Sequence, residues 1–322
     1  MSDIPAAIRS KLSGAQRVLL MGHRDPDGDS AGSILALAAT LGDRQVYCYS
    51  QGALPSRYEF LDPDGRLTDR IDTTFEPDVA VAIESPGRDR LGDGVRMLIP
   101  ATTLINIDHH HDNEAYGDIN WLDPEAAACG EMIFDLLQGA EESVDAYSAT
   151  CLYTAILTDT GRFQYRGTTA RTLSICSELV RHGANPADIT RHVYFGMPLS
   201  YLRLMRAALD GMESVADDRV LALTLLPDDF ERAGASPQDA EGIIDLTLLS
   251  DHVRIGLLFR QNEVGRIKVS FRSQDSIDVA RLAAHWGGGG HRNASGCLID
   301  GDFEQVKTSV LSRAAALLEN GS

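Results

Sequence analysis

Three side chains that can bind a divalent cation fall close together near the start of the chain: His23, Asp27 and Asp29. The apolar residues 18–21 precede them and predict a short buried strand, and the small and apolar residues after Ser30 predict a helix. The three side chains therefore lie on a loop at the carboxyl end of a strand, where open α/β sheets bind ligands. One imidazole and two carboxylates are costly to bury without partners, and a metal ion can partner all three.

Further acidic and imidazole side chains follow other predicted strands and helices. They are Glu84, Asp108, His109, His110 and Asp159. Parallel strands of one sheet end side by side, so these groups can converge with the first three. Carboxylates and imidazoles without thiolates favour manganese, magnesium or iron over a structural zinc. So many acidic ligands suit two ions that share a carboxylate and a water molecule.

Each of these groups has a simpler alternative role. Asp27 with Gly28 can cap the following helix, and Asp108 to His110 can form a solvated loop. Asp159 can be a helix cap, and Glu84 can be a surface carboxylate at a strand end. The metal hypothesis depends on their occurring together, each beside an element that can position it.

The elements that position these groups alternate between strand and helix, which predicts an α/β fold with a doubly wound, mainly parallel sheet. The predicted strands span residues 17–22, 45–49, 78–84 and 103–107. The predicted helices span residues 4–13, 30–41, 127–137, 145–157, 168–182 and 186–193. Residues 51–77 are rich in Pro, Asp, Gly and Thr and predict a loop with a short helical turn.

A second α/β pattern begins at about residue 217. Its predicted elements are strands at 219–226, 253–259, 266–271 and 297–299 and helices at 277–284 and 303–318. A long helix over residues 198–212 precedes it. We therefore predict a catalytic metal-binding domain at residues 1–197, a linker helix that acts as a hinge at 198–213, and a smaller substrate-binding domain at 214–322.

A run of four glycines, Gly287 to Gly290, precedes a histidine and a basic residue in the second domain. Alone, such a run is typical of a flexible loop, but together with the residues that follow it predicts a cradle of backbone N–H groups for an anion. The basic side chains of this domain either form a phosphate-binding cluster or cover a solvated sheet face. Among them Arg272, next to Ser273, is the favoured phosphate contact.

Composition limits the possible partners. The chain has 322 residues and a net charge of −18, so most of its surface would repel long duplex DNA, whereas a short anionic ligand can bind in a locally basic pocket. No apolar run approaches the roughly 18 residues that cross a bilayer, so no membrane partner is expected. The N-terminal segment does not predict a signal peptide. Five scattered cysteines fit reduced thiols and predict a cytoplasmic protein.

Four motifs occur in an order that resembles the DHH phosphoesterase family. They are the segment from His23 to Ser33, Asp108-His109-His110, the segment from Thr158 to Phe163, and the segment from Gly287 to Gly296. The resemblance covers nearly the whole chain. It is strongest to the NrnA-type branch, which contains oligoribonucleases that also hydrolyse 3′-phosphoadenosine 5′-phosphate (PAP).

The resemblance implies two divalent metal ions, with manganese favoured and magnesium as the alternative. It assigns His23 and Asp27 to the first ion. It assigns Asp29, His109 and Asp159 to the second ion.

The remaining implied roles concern catalysis and substrate binding. His110 contacts the scissile phosphate, and Asp108 orients an imidazole. In the second domain the implied substrate contacts are Gly288, Gly289, Gly290, His291, Arg292 and Ser295. Arg272, favoured above as a phosphate contact, completes the set.

One residue departs from the family pattern. The bridging position, where the family usually has aspartate, falls on Glu84 in the run Ile83-Glu84-Ser85. The longer side chain can bridge both ions, bind only one of them, or weaken the occupancy of one site.

We predict a manganese-dependent phosphodiesterase that degrades short oligonucleotides, including dinucleotides, to nucleoside 5′-monophosphates by two-metal hydroxide attack and that also dephosphorylates PAP. Its expected partners are short oligonucleotides or nucleotides and, by the family resemblance, a second copy of the chain in a homodimer. Three alternatives stay open: a phosphodiesterase for cyclic-di-AMP or linear dinucleotides, a pyrophosphatase or polyphosphatase, and a non-catalytic nucleotide sensor in which Glu84 impairs the metal site.

Overall fold

The structure is a computed structural model that describes residues 4–97, 103–138, 144–240, 242–263, 265–274 and 277–320. The chain divides into two compact units, Met1–Gly196 and Met197–Ser322. Each unit has its own buried apolar core and its own six-stranded sheet. No helix in the described ranges is long and apolar enough to cross a membrane.

The sheet of the first unit is entirely parallel. Its strands are β1 (Arg17–Met21), β2 (Gln45–Tyr49), β3 (Leu67–Thr68), β4 (Val79–Ile83), β5 (Thr103–Asp108) and β6 (Ile119–Leu122). They lie in the order β3-β2-β1-β4-β5-β6. The chain order reverses between β1 and β4, and at such a switch point the loops after the two strands separate and open a crevice. The predicted α/β fold is confirmed.

Two strands of this sheet were missed by the sequence analysis. β3 lies within residues 51–77, which were predicted as a loop, and β6 lies in a segment with no predicted strand. Both are edge strands, and their residues are only partly buried. Buried central strands have continuous apolar runs that reveal them, whereas short edge strands have no such pattern.

The helices of the first unit agree with the prediction to within a few residues. They are α1 (Ile4–Gly14), α2 (Gly28–Thr40), α3 (Cys129–Gln138), α4 (Ala146–Asp159), α5 (Ala170–Arg181) and α6 (Pro186–Tyr194). Two 3₁₀ segments, Ser56–Leu61 and Arg88–Met97, complete the unit, and the second of these was not predicted.

Glycines allow α2 and α3 of the first unit to pack closely against α4. A Cβ at Gly28 would lie 2.4 Å from Thr158 Oγ1, and one at Gly32 would lie 2.5 Å from the Cys151 carbonyl oxygen. A Cβ at Gly130 would lie 2.8 Å from the Cβ of Ala155. Such contacts exclude any side chain, so the first turns of α2 and α3 lie directly against α4. This packing brings Asp159, at the end of α4, close to the start of α2.

The second unit contains a mixed sheet. Its elements are α7 (Leu199–Asp210), β7 (Glu213–Val215), β8 (Val220–Leu225), α8 (Pro227–Ala233), β9 (Ile255–Glu263), β10 (Arg266–Ser273), α9 (Val279–Ala284), β11 (Gly289–His291), β12 (Ala294–Asp300) and α10 (Phe303–Asn320), with 3₁₀ segments Pro237–Ala240 and Ile243–Leu248. The strands lie in the order β11-β12-β10-β9-β8-β7, and the β8–β9 pair is parallel whereas the others are antiparallel.

The helix that was predicted as a linker is part of the second unit. Its side chains Leu204 and Ala208 are buried in one cluster with Leu223 and Leu225 of β8. The helix ends at Asp210, and Glu213 already begins β7. The predicted hinge role of residues 198–213 stays a prediction, as do the predicted domain bounds.

Substituting Gly32 by valine should destabilise the first unit, because the new side chain must displace the α4 backbone. Overpacking of this kind costs about 1–3 kcal/mol, which urea unfolding would measure. Gly14→Ala is the matched control, since no atom lies within 4 Å of a Cβ at Gly14. A Gly32→Val protein as stable as the Gly14→Ala control would contradict the proposed close contact between α2 and α4.

Candidate metal centre

The carboxyl edge of the first sheet brings together six side chains that the sequence predicted as metal ligands. They are His23 after β1, Asp27 and Asp29 at the start of α2, Glu84 after β4, His109 after β5, and Asp159 at the end of α4. His23, Asp29, Glu84 and His109 are buried, and Asp27 and Asp159 are partly buried. The crevice at the switch point therefore collects side chains from segments that are far apart in the chain.

A first triad consists of His23, Asp27 and Glu84. His23 Nε2 lies 3.3 Å from Glu84 Oε2 and 3.7 Å from Asp27 Oδ2. One ligand atom from each residue lies within 4.8 Å of the other two, which is a spacing that a single cation can span.

A second triad consists of Glu84, His109 and Asp159. His109 Nε2 lies 3.2 Å from Asp159 Oδ2, and the three ligand atoms again lie within 4.8 Å of one another. Asp29 Oδ2 approaches the same imidazole nitrogen at 3.8 Å. Glu84 is thus a member of both triads.

Both histidines are oriented by a backbone carbonyl. His23 Nδ1 lies 2.8 Å from the Arg24 carbonyl oxygen, and His109 Nδ1 lies 3.0 Å from that of Ala126. A carbonyl can only accept a hydrogen bond, so Nδ1 carries the proton in each ring. In the neutral imidazole Nε2 then turns its lone pair towards the carboxylates, which is the arrangement of a metal-binding histidine.

The two aspartates of the first motif are held by helix N-termini. Asp27 Oδ1 accepts hydrogen bonds from the backbone N–H groups of Asp29 and Ser30, so the capping alternative is correct for this oxygen, whereas Oδ2 faces His23. Asp29 accepts hydrogen bonds from the backbone N–H groups of Cys129 and Gly130 at 2.7 and 2.9 Å. Both carboxylates are therefore positioned by the backbone.

The centre contains more negative charge than its protein partners can neutralise. Burial and the neighbouring Asp159 raise the pKa of Asp29 to about 7, and burial raises the pKa of Asp159 to about 6. Burial and repulsion from Asp27 raise the pKa of Glu84 well above its ordinary value. Burial alone would lower the pKa of His23, but Glu84 and Asp27 outweigh it and raise that pKa. A bound cation would relieve this repulsion.

The donor set fits divalent metal ions. Glu84 belongs to both triads, and its buried Oε2 faces His23 Nε2 at 3.3 Å, so its carboxylate is directed into the centre. Carboxylates with imidazoles are ligands that Mn²⁺ accepts readily, and Mg²⁺ accepts the carboxylates. The thiol of Cys129, which the sequence analysis placed in the core, also lies within 4.8 Å of ligand atoms of Asp29 and His109. Burial and Asp29 raise its pKa well above the ordinary value, which keeps it a protonated, weak ligand.

Asp108 and His110 form a pair beside the two triads. Asp108 Oδ1 lies 2.8 Å from His110 Nδ1 and also accepts the backbone N–H of His109 at 2.8 Å. Burial acts to raise the pKa of Asp108, but its hydrogen bonds from His110 and Asn113 hold that pKa below its ordinary value. Asp108 is therefore an ionised acceptor that orients the His110 ring. The sequence analysis did not find Asn113, because a lone asparagine in a loop has no distinguishing pattern.

In the second unit the last two glycines of the run, Gly289 and Gly290, lie in the edge strand β11, which pairs with β12 as a hairpin. A Cβ at Gly288 would lie 2.2 Å from the Gly296 carbonyl oxygen, and one at Gly290 would lie 2.7 Å from that of Ala294. Close contact with β12 thus accounts for both glycines. The predicted contact of Gly288 to Gly290 with a phosphate stays a prediction.

The other candidate substrate contacts lie on or near this hairpin. His291 is half-buried and Arg292 is exposed at its tip. Ser295 is buried, and its hydroxyl donates a hydrogen bond to the Val279 carbonyl. Arg272 Nε lies 3.2 Å from Asp245 Oδ1, so the favoured phosphate contact already has an acidic partner.

Comparison with known proteins identifies the family. The model of the DHH family, N-terminal domain, matches residues 17–156, and the DHHA1 domain matches residues 217–320. A bifunctional oligoribonuclease and PAP phosphatase NrnA of Thermus thermophilus is 32% identical over 291 residues, which cover 90% of this chain and 86% of that relative. The chain belongs to the DHH family. The resemblance drawn from the four motifs is confirmed, and so is the prediction of a phosphoesterase.

Two solved structures extend the comparison of this DHH-family protein. An exopolyphosphatase-related protein from Bacteroides fragilis is 27% identical, with a TM-score of 0.90 over 99% of this chain and 98% of that chain. RecJ of Thermus thermophilus, which was solved in complex with Mn²⁺, is 12% identical, with a TM-score of 0.53 over 98% of this chain and 54% of that chain. The second likeness shows a shared fold.

The surplus of buried carboxylates predicts that the chelator-treated protein loses stability as the pH rises from about 4 to about 7. A carboxyl group whose pKa is higher in the folded than in the unfolded state binds protons more tightly when folded, so raising the pH favours unfolding. Asp29, Glu84 and Asp159 all act in this direction. Asp27 and Asp108, whose pKa values are lowered, act in the opposite direction at lower pH.

Urea unfolding with a chelator at several pH values would test this expectation. Asp29→Asn should flatten the pH dependence, and added Mn²⁺ should stabilise the wild-type protein most at neutral pH, since it binds only the folded state. A chelated protein that gains stability over this pH range would show that the carboxylates are neutralised by other groups.

Proposed function

We propose that this DHH-family protein hydrolyses short oligonucleotides to nucleoside 5′-monophosphates with two divalent metal ions, manganese being the favoured ion, and that it also removes the 3′-phosphate of PAP. The observation that carries the proposal is the membership of Glu84 in both triads, because two-metal hydrolases hold their ions about 3.5–4 Å apart around shared ligands. The name of the Thermus thermophilus relative supports the choice of substrate.

The proposed ligand sets follow the two triads. His23 and Asp27 would hold the first ion, His109 and Asp159 would hold the second, and Glu84, a member of both triads, would be shared between them. Asp29 belongs with the second ion, and the backbone N–H groups at the start of α3 fix its carboxylate. When bound, such ions supply a nucleophile at neutral pH and neutralise the charge of the phosphoryl group.

His110 has a separate role in the proposal. Its Nδ1–H faces Asp108, so Nε2 on the opposite side of the ring is the atom that meets the scissile phosphate. A second proton at Nε2 would let the ring donate a hydrogen bond to a phosphate oxygen. Asp108 keeps the ring in this orientation and does not itself contact the substrate.

The second unit would bind the rest of the substrate. β11 is an edge strand, and we propose that the backbone of Gly289 and Gly290 approaches an anion there. The Gly288 N–H already donates to the Ala283 carbonyl at 3.0 Å and would have to exchange it for a phosphate group. His291 and Arg292 extend from the tip of the same hairpin. Arg272 would have to exchange Asp245 for a phosphate group. These contacts favour a substrate with more than one phosphate over a nucleoside monophosphate.

Hydrolysis of a 5′-phosphorylated diadenylate in the presence of Mn²⁺ would test the activity, with release of AMP as the readout. We expect rapid release by the wild-type protein and a loss of at least about 100-fold for Asp159→Ala, which removes a ligand of one ion. Asp112→Ala is the control, since Asp112 is an exposed carboxylate close to the DHH motif.

Parallel reactions would separate the alternative functions. The substrates are PAP, a longer RNA, a cyclic dinucleotide and tripolyphosphate. Preference for the cyclic dinucleotide or tripolyphosphate would replace the proposal with one of those activities, and equal cleavage of long and dinucleotide RNA would contradict the preference for short substrates. Bound manganese without turnover of any substrate, by wild type and Glu84→Asp alike, would identify a nucleotide sensor.

Removal of the guanidinium at the hairpin tip should weaken substrate binding more than the chemical step. We expect Arg292→Ala to raise KM for the diadenylate about 10-fold, the value of one charge-assisted hydrogen bond, with a smaller change in kcat. Arg281→Ala, an exposed arginine on α9, is the control. Equal kinetics for the two variants would remove Arg292 from the proposed substrate site.

A further inference from the structure

The carbonyl oxygen of Ser85, directly after Glu84, accepts hydrogen bonds from three side chains. Tyr116 Oη donates at 2.9 Å, Asn113 Nδ2 at 3.2 Å and Asn106 Nδ2 at 3.4 Å. A carbonyl has two lone pairs, so three donors on one oxygen are more than satisfaction of a buried group requires. The loop that contains Asn113 and Tyr116 is also joined to this segment through its backbone. The Glu114 N–H donates a hydrogen bond to the Pro86 carbonyl at 2.8 Å.

This clamp follows a residue in an unfavourable backbone conformation. Glu84 has φ of 55°, in the left-handed region that costs a residue with a side chain on the order of 1 kcal/mol or more. Its N–H still donates to the Ile107 carbonyl of β5 at 3.0 Å, so the chain turns directly after the last sheet hydrogen bond. Holding the Ser85 carbonyl therefore restrains the chain directly after Glu84 and limits the directions in which the Glu84 carboxylate can leave the backbone.

The Asn113 carboxamide joins this clamp to the DHH motif. Its Nδ2 lies near three acceptors, namely the Ser85 carbonyl, Asn106 Oδ1 at 3.2 Å and Asp108 Oδ2 at 2.5 Å. Its Oδ1 accepts the backbone N–H of Ala115 at 2.8 Å. The flipped amide would place an oxygen against three acceptors, so the network determines the orientation of the group.

We propose that Asn113 is a positioning residue that acts through Ser85 on Glu84 and through Asp108 on His110, with Tyr116 as a second clamp on Ser85. The proposal rests on the proposed function, in which Glu84 bridges two ions. Without the carboxamide, the Glu84 backbone has fewer restraints on its left-handed turn, and Asp108 loses a hydrogen bond that keeps its second oxygen away from His110.

Asn113→Ala and Tyr116→Phe should have different consequences, because only Asn113 touches Asp108. We expect both to weaken binding of one Mn²⁺ ion, by about 10–100-fold for Asn113→Ala, as is typical of groups that orient metal ligands, and by less for Tyr116→Phe. Only Asn113→Ala should change the ¹⁵N chemical shifts of the His110 imidazole. Asn120→Ala is the control, since the Asn120 carboxamide, on the neighbouring strand β6, exchanges hydrogen bonds with the Gly117 backbone at 2.9 and 2.7 Å.

The measurements are calorimetric titration with Mn²⁺, electron paramagnetic resonance of the loaded protein, and ¹⁵N spectra of labelled histidine. Magnetic coupling between two Mn²⁺ ions should be present in wild type and Asn120→Ala and should weaken in both clamp variants. If Asn113→Ala fails to fold, Tyr116→Phe, which removes one oxygen atom, still tests the clamp on Ser85.

The outcomes separate the positioning role from the proposed function. Two coupled ions bound with wild-type affinity by Asn113→Ala and Tyr116→Phe would overturn the positioning role, whatever the wild-type activity. A wild-type protein that binds two coupled ions, responds to both clamp variants and still cleaves no oligonucleotide would retain the positioning role and overturn the proposed function. If Asn120→Ala lost Mn²⁺ affinity and magnetic coupling to the same extent, the effect would be one of general loop stability. That result would also overturn the positioning role.

Discussion

Mutual repulsion among buried carboxylates is the constraint on which the rest of the first unit depends. Asp29 and Glu84 are buried and Asp27 and Asp159 are partly buried where they converge on two imidazoles in the crevice. Like charges at this spacing and burial are strongly unfavourable unless a cation lies among them or protons neutralise them. This unfavourable energy raises the pKa values of Asp29, Glu84 and Asp159 above their ordinary values.

Because the carboxylates repel one another, the surrounding structure must hold them in place through other contacts. The backbone does this at Asp27 and Asp29, which cap the N-termini of α2 and α3 and so accept hydrogen bonds where the helix dipoles are positive. The glycine contacts of α2 and α3 with α4 place Asp159 beside them. The proposed ligands are preorganised in this way, so binding of an ion would need little rearrangement and would relieve the repulsion among the carboxylates.

The sequence predicted that these side chains come together because their pattern is local, and it failed where a contact depends on residues far apart in the chain. An apolar run followed by acidic or imidazole groups is visible at His23, Glu84 and His109, and parallel sheet topology implies that such ends meet. The central strands were found for the same reason, whereas the edge strands β3 and β6 have no apolar run of their own. Asn113 acquires its contacts from Ser85, 28 residues away, and the Cys129 N–H from Asp29, 100 residues away, so no spacing could have revealed them.

The same distinction explains the glutamate at the position where the family usually has aspartate. The Glu84 side chain is one methylene longer than that of the usual aspartate. From this difference alone, the sequence shows only that the carboxylate must be positioned differently. In the structure the backbone turns into the left-handed region at this residue, and its carboxylate meets both triads from that direction. Side-chain reach is set jointly by χ angles and by the backbone from which the side chain starts. In the proposed site, the hydrogen bonds to the Ser85 carbonyl restrain the chain after Glu84 and so help to direct its longer side chain.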